Sequence, residues 1–556
     1  MSRSTADFRA GLEKFKRRLV VKDRRRLLIV LGVLSAVVTG LALYFGLMPI
    51  HPASGGFRLY LVGMLLIWSV PLLFKSEKAG ARPKVKSGWG APFLAALFLL
   101  VLFIVLALAV SPLFMAKEYR GLVTVRDDGD FAAAVENYDS MQIPVVDRNL
   151  AVKLGDKKLG EDNYGSQFEV GEYNMIAYDG GLYWIAPVEY RGFFQWTGRA
   201  ESPGYIRINA LDPSDVQLVR CEMNYVGSAY LWDDLSRKSY FSHMFRYREA
   251  GAPHLELDDA GRPMFVQSVV TRRFAFTAGT DAVGVIVTDP ADGKSTYYAA
   301  DACPDWIDRV YPESVVAGQL GYWGKYVHGF FNALFAKRDV LELSTGINYI
   351  YNNGRMYLQT GMTSVGGDES IVGVTMTDVR TKETTFYRVA GATEYAAAQS
   401  ALGAEQAQRF TASDPIMINF NGIPTYFMTL KDDEGLVKRY AYVNVADYRL
   451  VAVDADRTAA LAAYERLVSP DSATVGLTLT VADIRDVIID GNTVYYIRFV
   501  RPEGASTLPD DFERRNFRAP LTLTSDLAFL QAGDTVTADL FIGSGEDLVT
   551  ALTVHG

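Results

Sequence analysis

This 556-residue chain is expected to be a membrane-anchored α+β protein: three transmembrane helices, then repeated helix-plus-antiparallel-sheet modules, then a C-terminal small β-barrel. Two observations carry the expectation. Residues 27–48, 57–74 and 92–116 are apolar stretches, charged only at Arg58. At about 1.5 Å per helical residue, each is long enough for a hydrocarbon core about 30 Å thick. After Lys117 the chain turns polar, with alternating strand-like runs between Asp-Gly and Asn-Gly turns.

The elements follow in order. Residues 1–26 form a basic cytoplasmic segment, with ten Lys/Arg against three acids. Phe8, Leu12, Phe15 and Leu19 recur within it at helical spacing, which suits an interfacial helix or a plain topology signal. Residues 27–116 form the anchor. The stretch 75–86 holds Lys75, Lys78, Arg82, Lys84 and Lys86 against Glu77, whereas 49–56 holds no Lys or Arg. Positive residues stay on the cytoplasmic side, so the N-terminus lies inside and the mass after Lys117 outside. A cleaved signal peptide fits poorly, because the first run is long and two more follow. Ion pathways need intramembrane charge, and Arg58 sits at an edge, so the bundle reads as an anchor. Gly32, Ala36 and Gly40 make a small-residue stripe suited to close helix packing.

Charge divides the chain. Residues 1–90 carry 16 Lys/Arg against 4 Asp/Glu, a charge of +12; the chain totals −8, so the rest carries −20. An acidic outer region excludes nucleic acid as a partner and suits cations, basic proteins or solubility. Cys221 and Cys303 are the two cysteines. An oxidising exterior permits a disulfide between them, and buried free thiols are the alternative.

The outer region divides at 117–169 (juxtamembrane helix and β segment), 170–255, 256–345, 346–410 and 411–468 (four α+β modules), and 472–556. Val283-Gly-Val-Ile-Val-Thr-Asp289 aligns without gaps with Val372-Gly-Val-Thr-Met-Thr-Asp378. Both run on to a second aromatic strand, at 296–298 and 385–387. Helices are expected at 230–247, 315–337, 394–408 and 457–467. A glycine inside a strand marks a close approach by another element. The elements after each copy, 306–310 and 394–401, are the expected neighbours of Gly284 and Gly373.

Gly261-Arg-Pro-Met-Phe265 and Asp289-Pro-Ala-Asp-Gly-Lys294 resemble the PepSY-type repeat of bacterial envelope proteins. The resemblance implies α+β modules linked to protein contact or peptidase regulation. Near the end, Gly533-Asp-Thr-Val536 precedes a closing hairpin and resembles the last part of an OB-type barrel. Such barrels bind oligomers or proteins on one face.

Chemistry is sparse. The sequence has no HExxH pair, no G-x-S-x-G elbow, no Walker A loop and no calcium loop; Gly227-Ser228-Ala229 is the nearest elbow fragment. Residues 303–310 are rich in functional types: Asp308 and Arg309 could pair, and Trp306 could anchor a contact, while a structural helix start is the plainer alternative. Trp323 lies in the glycine-bounded segment 321–331, which suggests tight packing on a neighbour. No catalytic residue, cofactor or metal site is assigned. The expected function is a non-enzymatic, multi-pass, extracytoplasmic binding or scaffold protein of a bacterial cell envelope. Its partners are the lipid bilayer and an envelope protein or cell-wall polymer, and oligomerisation is left open. The alternatives are an envelope hydrolase with dispersed carboxylates and a subunit of a secretion or transfer complex.

Overall fold

The computed structural model describes residues 24–73, 91–138, 142–198, 201–247, 249–365, 370–405, 409–468, 475–489, 492–502, 508–509, 511–520, 523–542 and 547–555. The chain forms two compact units. Unit 1 comprises Met1–Val125, Ala151–Glu342 and Thr377–Thr384; unit 2 comprises Arg126–Leu150, Leu343–Met376 and Thr385–Gly556.

Unit 1 opens with α1 (Arg24–Tyr44), α2 (Gly55–Leu73), α3 (Ala91–Ala109) and α4 (Pro112–Arg120). The expected fold class is corrected here. Among the described residues one helix, α3, is long and apolar enough to cross a membrane; the apolar parts of the other two, Leu28–Tyr44 and Gly55–Ser69, are shorter. The physical reasons are local. Arginines fill the first turn of α1, and that helix stops at Tyr44, so Met48 lies in the following loop. Pro112 starts a new helix after Ala109, so the end of the third stretch belongs to α4, where Ala116 and Tyr119 pack against Tyr326. The basic stretch 75–86 and nearly all of 1–26 lie outside the described residues.

The rest is predominantly antiparallel sheet rather than helix on sheet. In unit 1 the first sheet has the order Phe168–Val170, Gly181–Tyr190, Ser202–Asn209, Val216–Met223, with Asn174–Tyr178 also on the second of these. The second sheet has the order Ser295–Ala299, Ala278–Thr288, Pro263–Phe274, Glu249–Ala250, with His254–Leu257 also paired to Pro263–Phe274. Helices are shorter than expected: α5 (Leu235–Ser242) and α6 (Glu313–Lys325). After α6 come two short turns, Gly329–Phe331 and the π-helical Asn332–Ala336. Residues 306–310 are not helical.

One face of the second sheet buries Val266, Val285 and Val287 with Ile307, Val310 and Trp306. The other buries Val269 and Ile286 with Tyr240 and Tyr247, and Leu43 and Leu47 from the end of α1 pack on that cluster. Tyr240 Oη donates to Met48 O at 2.7 Å, and Arg237 Nε donates to Tyr44 O at 3.0 Å.

Unit 2 holds most of the third sheet, ordered Val125–Gly129, Thr384–Tyr387, Ser370–Asp378, Arg355–Ser364, Leu341–Asn352. The fourth sheet is ordered Thr411–Ala412, Ile423–Lys431, Val437–Asn444, Val451–Asp454. Helices α7 (Glu394–Ala404) and α8 (Arg457–Val468) follow these two sheets. Strands Val475–Ile489, Asn492–Val500, Phe517–Pro520, Asp547–His555 and Thr535–Phe541 close on one another in that order, around a core that includes Phe499, Phe512 and Phe517.

Gly284 and Gly373 sit in comparable strands, each flanked by a long partner before it in sequence and a short one after it. Gly284 faces Ala299 and follows a register shift after Ala282. A Cβ there would meet Tyr298 O and the Tyr297 ring at under 3.0 Å; at Gly373 it would meet Tyr387 O and the Phe386 ring equally closely. The expected helical neighbours are therefore corrected. What closes on each glycine is the next strand's carbonyl and an aromatic ring laid flat where a side chain would stand.

Candidate functional site

A buried set of ionisable groups in unit 1 is built on the strand His254–Leu257. Residues two apart on a strand share a face, so His254 and Glu256 point together; they are 8% and 1% exposed. The Asp308 N–H donates to Glu256 Oε2 at 2.8 Å and the Arg309 N–H to Oε1 at 3.3 Å. His254 Nε2 lies 2.8 Å from Oε1. Asp308 in turn accepts the Ala177 N–H at 3.0 Å, and Asn174 Nδ2 donates to Leu255 O at 3.0 Å. The cluster thus ties the first sheet to the second through the loop 303–311.

Burial sets its electrostatics. Removing a charge from water disfavours the ionised form, and this raises the carboxyls of both Glu256 and Asp308. The charge of Glu256 raises Asp308 further, while Arg309 and Arg380 pull both back. His254 is held well below its ordinary value by burial and then by Arg309. Burial thus disfavours the charged form of both partners in the His254–Glu256 contact. Arg380 braces the loop from outside, donating to Cys303 O and Asp305 O at 3.1 Å each and pairing with the Asp305 carboxylate. Enclosed in this way, Glu256 fixes the backbone N–H groups of Asp308 and Arg309.

Other acids are similarly occupied. Burial pushes Glu189 up to about 7, and it accepts the Gly227 N–H. Ser228 Oγ accepts the Tyr190 N–H at 2.7 Å, so the elbow-like fragment serves as a backbone clamp. In unit 2, Glu394 is 5% exposed and raised by burial. Its Oε1 accepts from Ser344 Oγ at 2.8 Å and from the Gly361 N–H at 3.1 Å, while Oε2 is buried without a partner. A Cβ at Gly346 or Gly361 would strike the Glu394 side chain. A shallow, open groove of about 470 Å³ lies between α7, α8 and the strand Val451–Asp454, lined by Glu405, Val451, Val453, Arg466 and Leu467. Among the described residues no group of three or more His, Cys, Asp or Glu is placed to hold a metal ion.

The residues singled out in the sequence are partly gathered here. Asp308 and Arg309 join the cluster by donating their backbone N–H groups to Glu256, and the Arg309 charge acts on Asp308. Trp306 packs beside them in the core. Trp323 lies on α6, with the Arg120 guanidinium 5.1 Å above its ring. Cys221 and Cys303 are free thiols, each raised to about 11 by burial; Cys303 Sγ donates to Ala299 O at 3.2 Å. A Cβ at Gly32 or Gly40 would meet nothing within 4 Å among the described residues, so the small-residue stripe is not the close helix contact expected. The α1–α2 contact instead uses polar side chains, with Trp68 Nε1 donating to Ser35 Oγ at 3.1 Å and Thr39 hydrogen-bonded to Tyr60. Sequence reasoning missed His254, Glu256 and Arg380. The available signal was the His-x-Glu spacing on one strand face, between leucines that alternate with it.

No protein-family description matches the chain, and no curated protein matches it. Solved structures that align with it include the levansucrase of Bacillus subtilis, with 8% identity over 75% of this chain and 96% of that one, at a TM-score of 0.18. The levansucrase of B. megaterium aligns with 9% identity over 77% and 96%, at a TM-score of 0.17. At such scores the likeness carries no argument about fold or activity.

Proposed function

We propose that this chain is a membrane-anchored, extracytoplasmic binding or scaffold protein of a bacterial cell envelope, without enzymatic activity of its own. One observation supports it above all. The end of α1 and the loop that follows it pack on the core of unit 1, through Leu43, Leu47 and the Tyr240–Met48 hydrogen bond. An anchor so joined holds its cargo domain at a fixed height above the bilayer. The length and apolarity of helix α3 support a span, and the basic stretch 75–86 before it supports an outer position for the mass that follows. The matching environments of Gly284 and Gly373 support the PepSY-type resemblance of the repeats. The expected partners are lipid and an envelope protein or cell-wall polymer.

The hydrolase reading has one observation in its favour: two adjacent carboxyls, Glu256 and Asp308, both raised. Their enclosure, and their engagement by backbone N–H groups, favour a structural role. Protease added to spheroplasts is expected to digest the chain beyond Lys117; protection of that region overturns the orientation. Crosslinking in intact cells followed by mass spectrometry identifies the partner. Recovery of the chain with no crosslinked envelope component counts against a scaffold.

A further inference from the structure

Unit 1 carries large apolar side chains in water that its own core does not need. Phe194 is 82% exposed and Phe335 75%. They are not scattered. Phe193 packs on Tyr230 at 5.2 Å, as does Trp196 at 5.6 Å, and Tyr230 leads directly into exposed Leu231 and Trp232. Trp232 stacks edge-on against Tyr44, the last residue of α1, at 5.1 Å. On the loop between α1 and α2, His51 meets exposed Phe276 at 5.9 Å.

A second arm lies beside α4. Phe330 and Ala333 pack against Ala116 and Tyr119, which turns Phe331, Leu334 and Phe335 outward, with Phe331 and Phe335 stacked at 6.4 Å. Exposed Lys325, Lys337 and Arg338 flank this arm against the single acid Asp339, within an outer region whose overall charge is strongly negative.

Contiguous apolar surface of this kind marks a binding face. What covers it follows from continuity. Both arms start at the same ends of the helices, next to apolar surface that only hydrocarbon can cover. Trp and Tyr prefer the headgroup level, where one edge is apolar and the other wet, and Phe and Leu of interfacial elements bury at the boundary between headgroups and acyl chains. Flanking cations are attracted to acidic headgroups. We infer that unit 1 rests on the outer leaflet, with the Phe193–Trp232 arm and the Gly329–Ala336 turns inserted at headgroup depth. This rests on the membrane-anchored reading and adds to it a second, monotopic contact.

The test uses the full chain in nanodiscs of phosphatidylcholine and phosphatidylglycerol, with and without lipid bearing a nitroxide near the headgroup. Single variants Phe335→Cys, Phe331→Cys and Phe194→Cys carry a bimane label. Leu97→Cys on α3 reports the anchor, and exposed Val152→Cys is the aqueous control. Brief labelling at neutral pH spares Cys221 and Cys303, whose thiols are raised to about 11. The inference expects emission at 335, 331 and 194 to be lost with nitroxide lipid, as at 97, and retained at 152. Emission at those three sites that survives nitroxide lipid and is lost to aqueous iodide, while 97 is quenched by lipid, overturns the inference and leaves the anchor standing. Survival at 97 as well removes the anchor and the inference together. Without phosphatidylglycerol, quenching at 335 and 331 should fall, because Lys325, Lys337 and Arg338 flank that arm.

Discussion

The second and third sheets place the same sequence device in two settings. Each has a Val-Gly-Val strand at its centre, a long partner before it and a short aromatic partner after it, and in each an aromatic ring lies over the glycine. They differ in the acid each buries. Glu256 in unit 1 sits among partners for most of its lone pairs. Glu394 in unit 2 has one oxygen engaged and one orphaned. Two similar strand arrangements thus carry different acids, one with a shared polar network and one with a single clamped carboxyl.

The hardest test of the shared device is to fill the glycines. Gly284→Val and Gly373→Val should each cost about 3 kcal/mol, since backbone and ring must both give way. Hydrogen exchange read by mass spectrometry should show the loss in the substituted sheet and spare the other. Equal protection in both sheets of Gly284→Val would mean the ring can move aside there, and the two settings differ after all.

Replacing the acids comes next. Glu256→Gln should cost about 2 kcal/mol, because its amide cannot serve both backbone donors and the imidazole. Glu394→Gln should cost about 1 kcal/mol or less, with Ser344 and Gly361 still served by the amide oxygen. Their pH profiles sharpen the contrast. Glu256 and Asp308 are raised above their ordinary values of 4.5 and 3.8 toward about 7. The native state therefore keeps protons the unfolded chain releases, so this stability is full below those ordinary values and is lost as pH rises to about 7. His254, lowered from 6.5, acts oppositely and withdraws stability as pH falls through 6.5. Thermal melts of the wild type minus Glu256→Gln should thus slope downward between pH 5 and about 7. A flat difference would mean that Glu256 is already ionised throughout.

Smaller effects follow. Arg380→Ala should cost about 1 kcal/mol, most of it from the freed carbonyls of Cys303 and Asp305, since the Asp305 carboxylate lies in water. Raised salt should therefore change the Arg380→Ala difference little. Cys221 and Cys303 should react with a thiol reagent at neutral pH more slowly than a free cysteine, and rapid modification of either would place it in a more open site than its burial indicates.

Much of the strand layout is legible in the sequence. The Val-Gly-Val pairs and Asp-Gly turns mark real strands, and helices begin near Glu394 and Arg457 where periodicity places them. Helix length is not legible, since Pro112 and the break after Tyr44 end apolar runs that hydropathy alone joins. Asp308 and Arg309 stand out by composition, but their partner Glu256 is 52 residues away and no local pattern links them. The glycine neighbours were misassigned because a ring that folds back over its own sheet leaves no periodic trace.

The hairpin tip Thr377–Thr384 has a consequence in the order of synthesis. It belongs to unit 1 although residues 343–376 before it belong to unit 2. Val379 O accepts the N–H groups of Val310 and Tyr311, and Lys382 Nζ reaches Asp281 at 2.7 Å. A chain emerging from its N-terminus therefore cannot complete unit 1 at residue 342. Until residue 384 has appeared, Asp281 lacks its lysine and the loop 303–311 lacks its brace. The first unit waits on a piece of chain delivered from within the second, and any truncation between 342 and 384 leaves it unfinished.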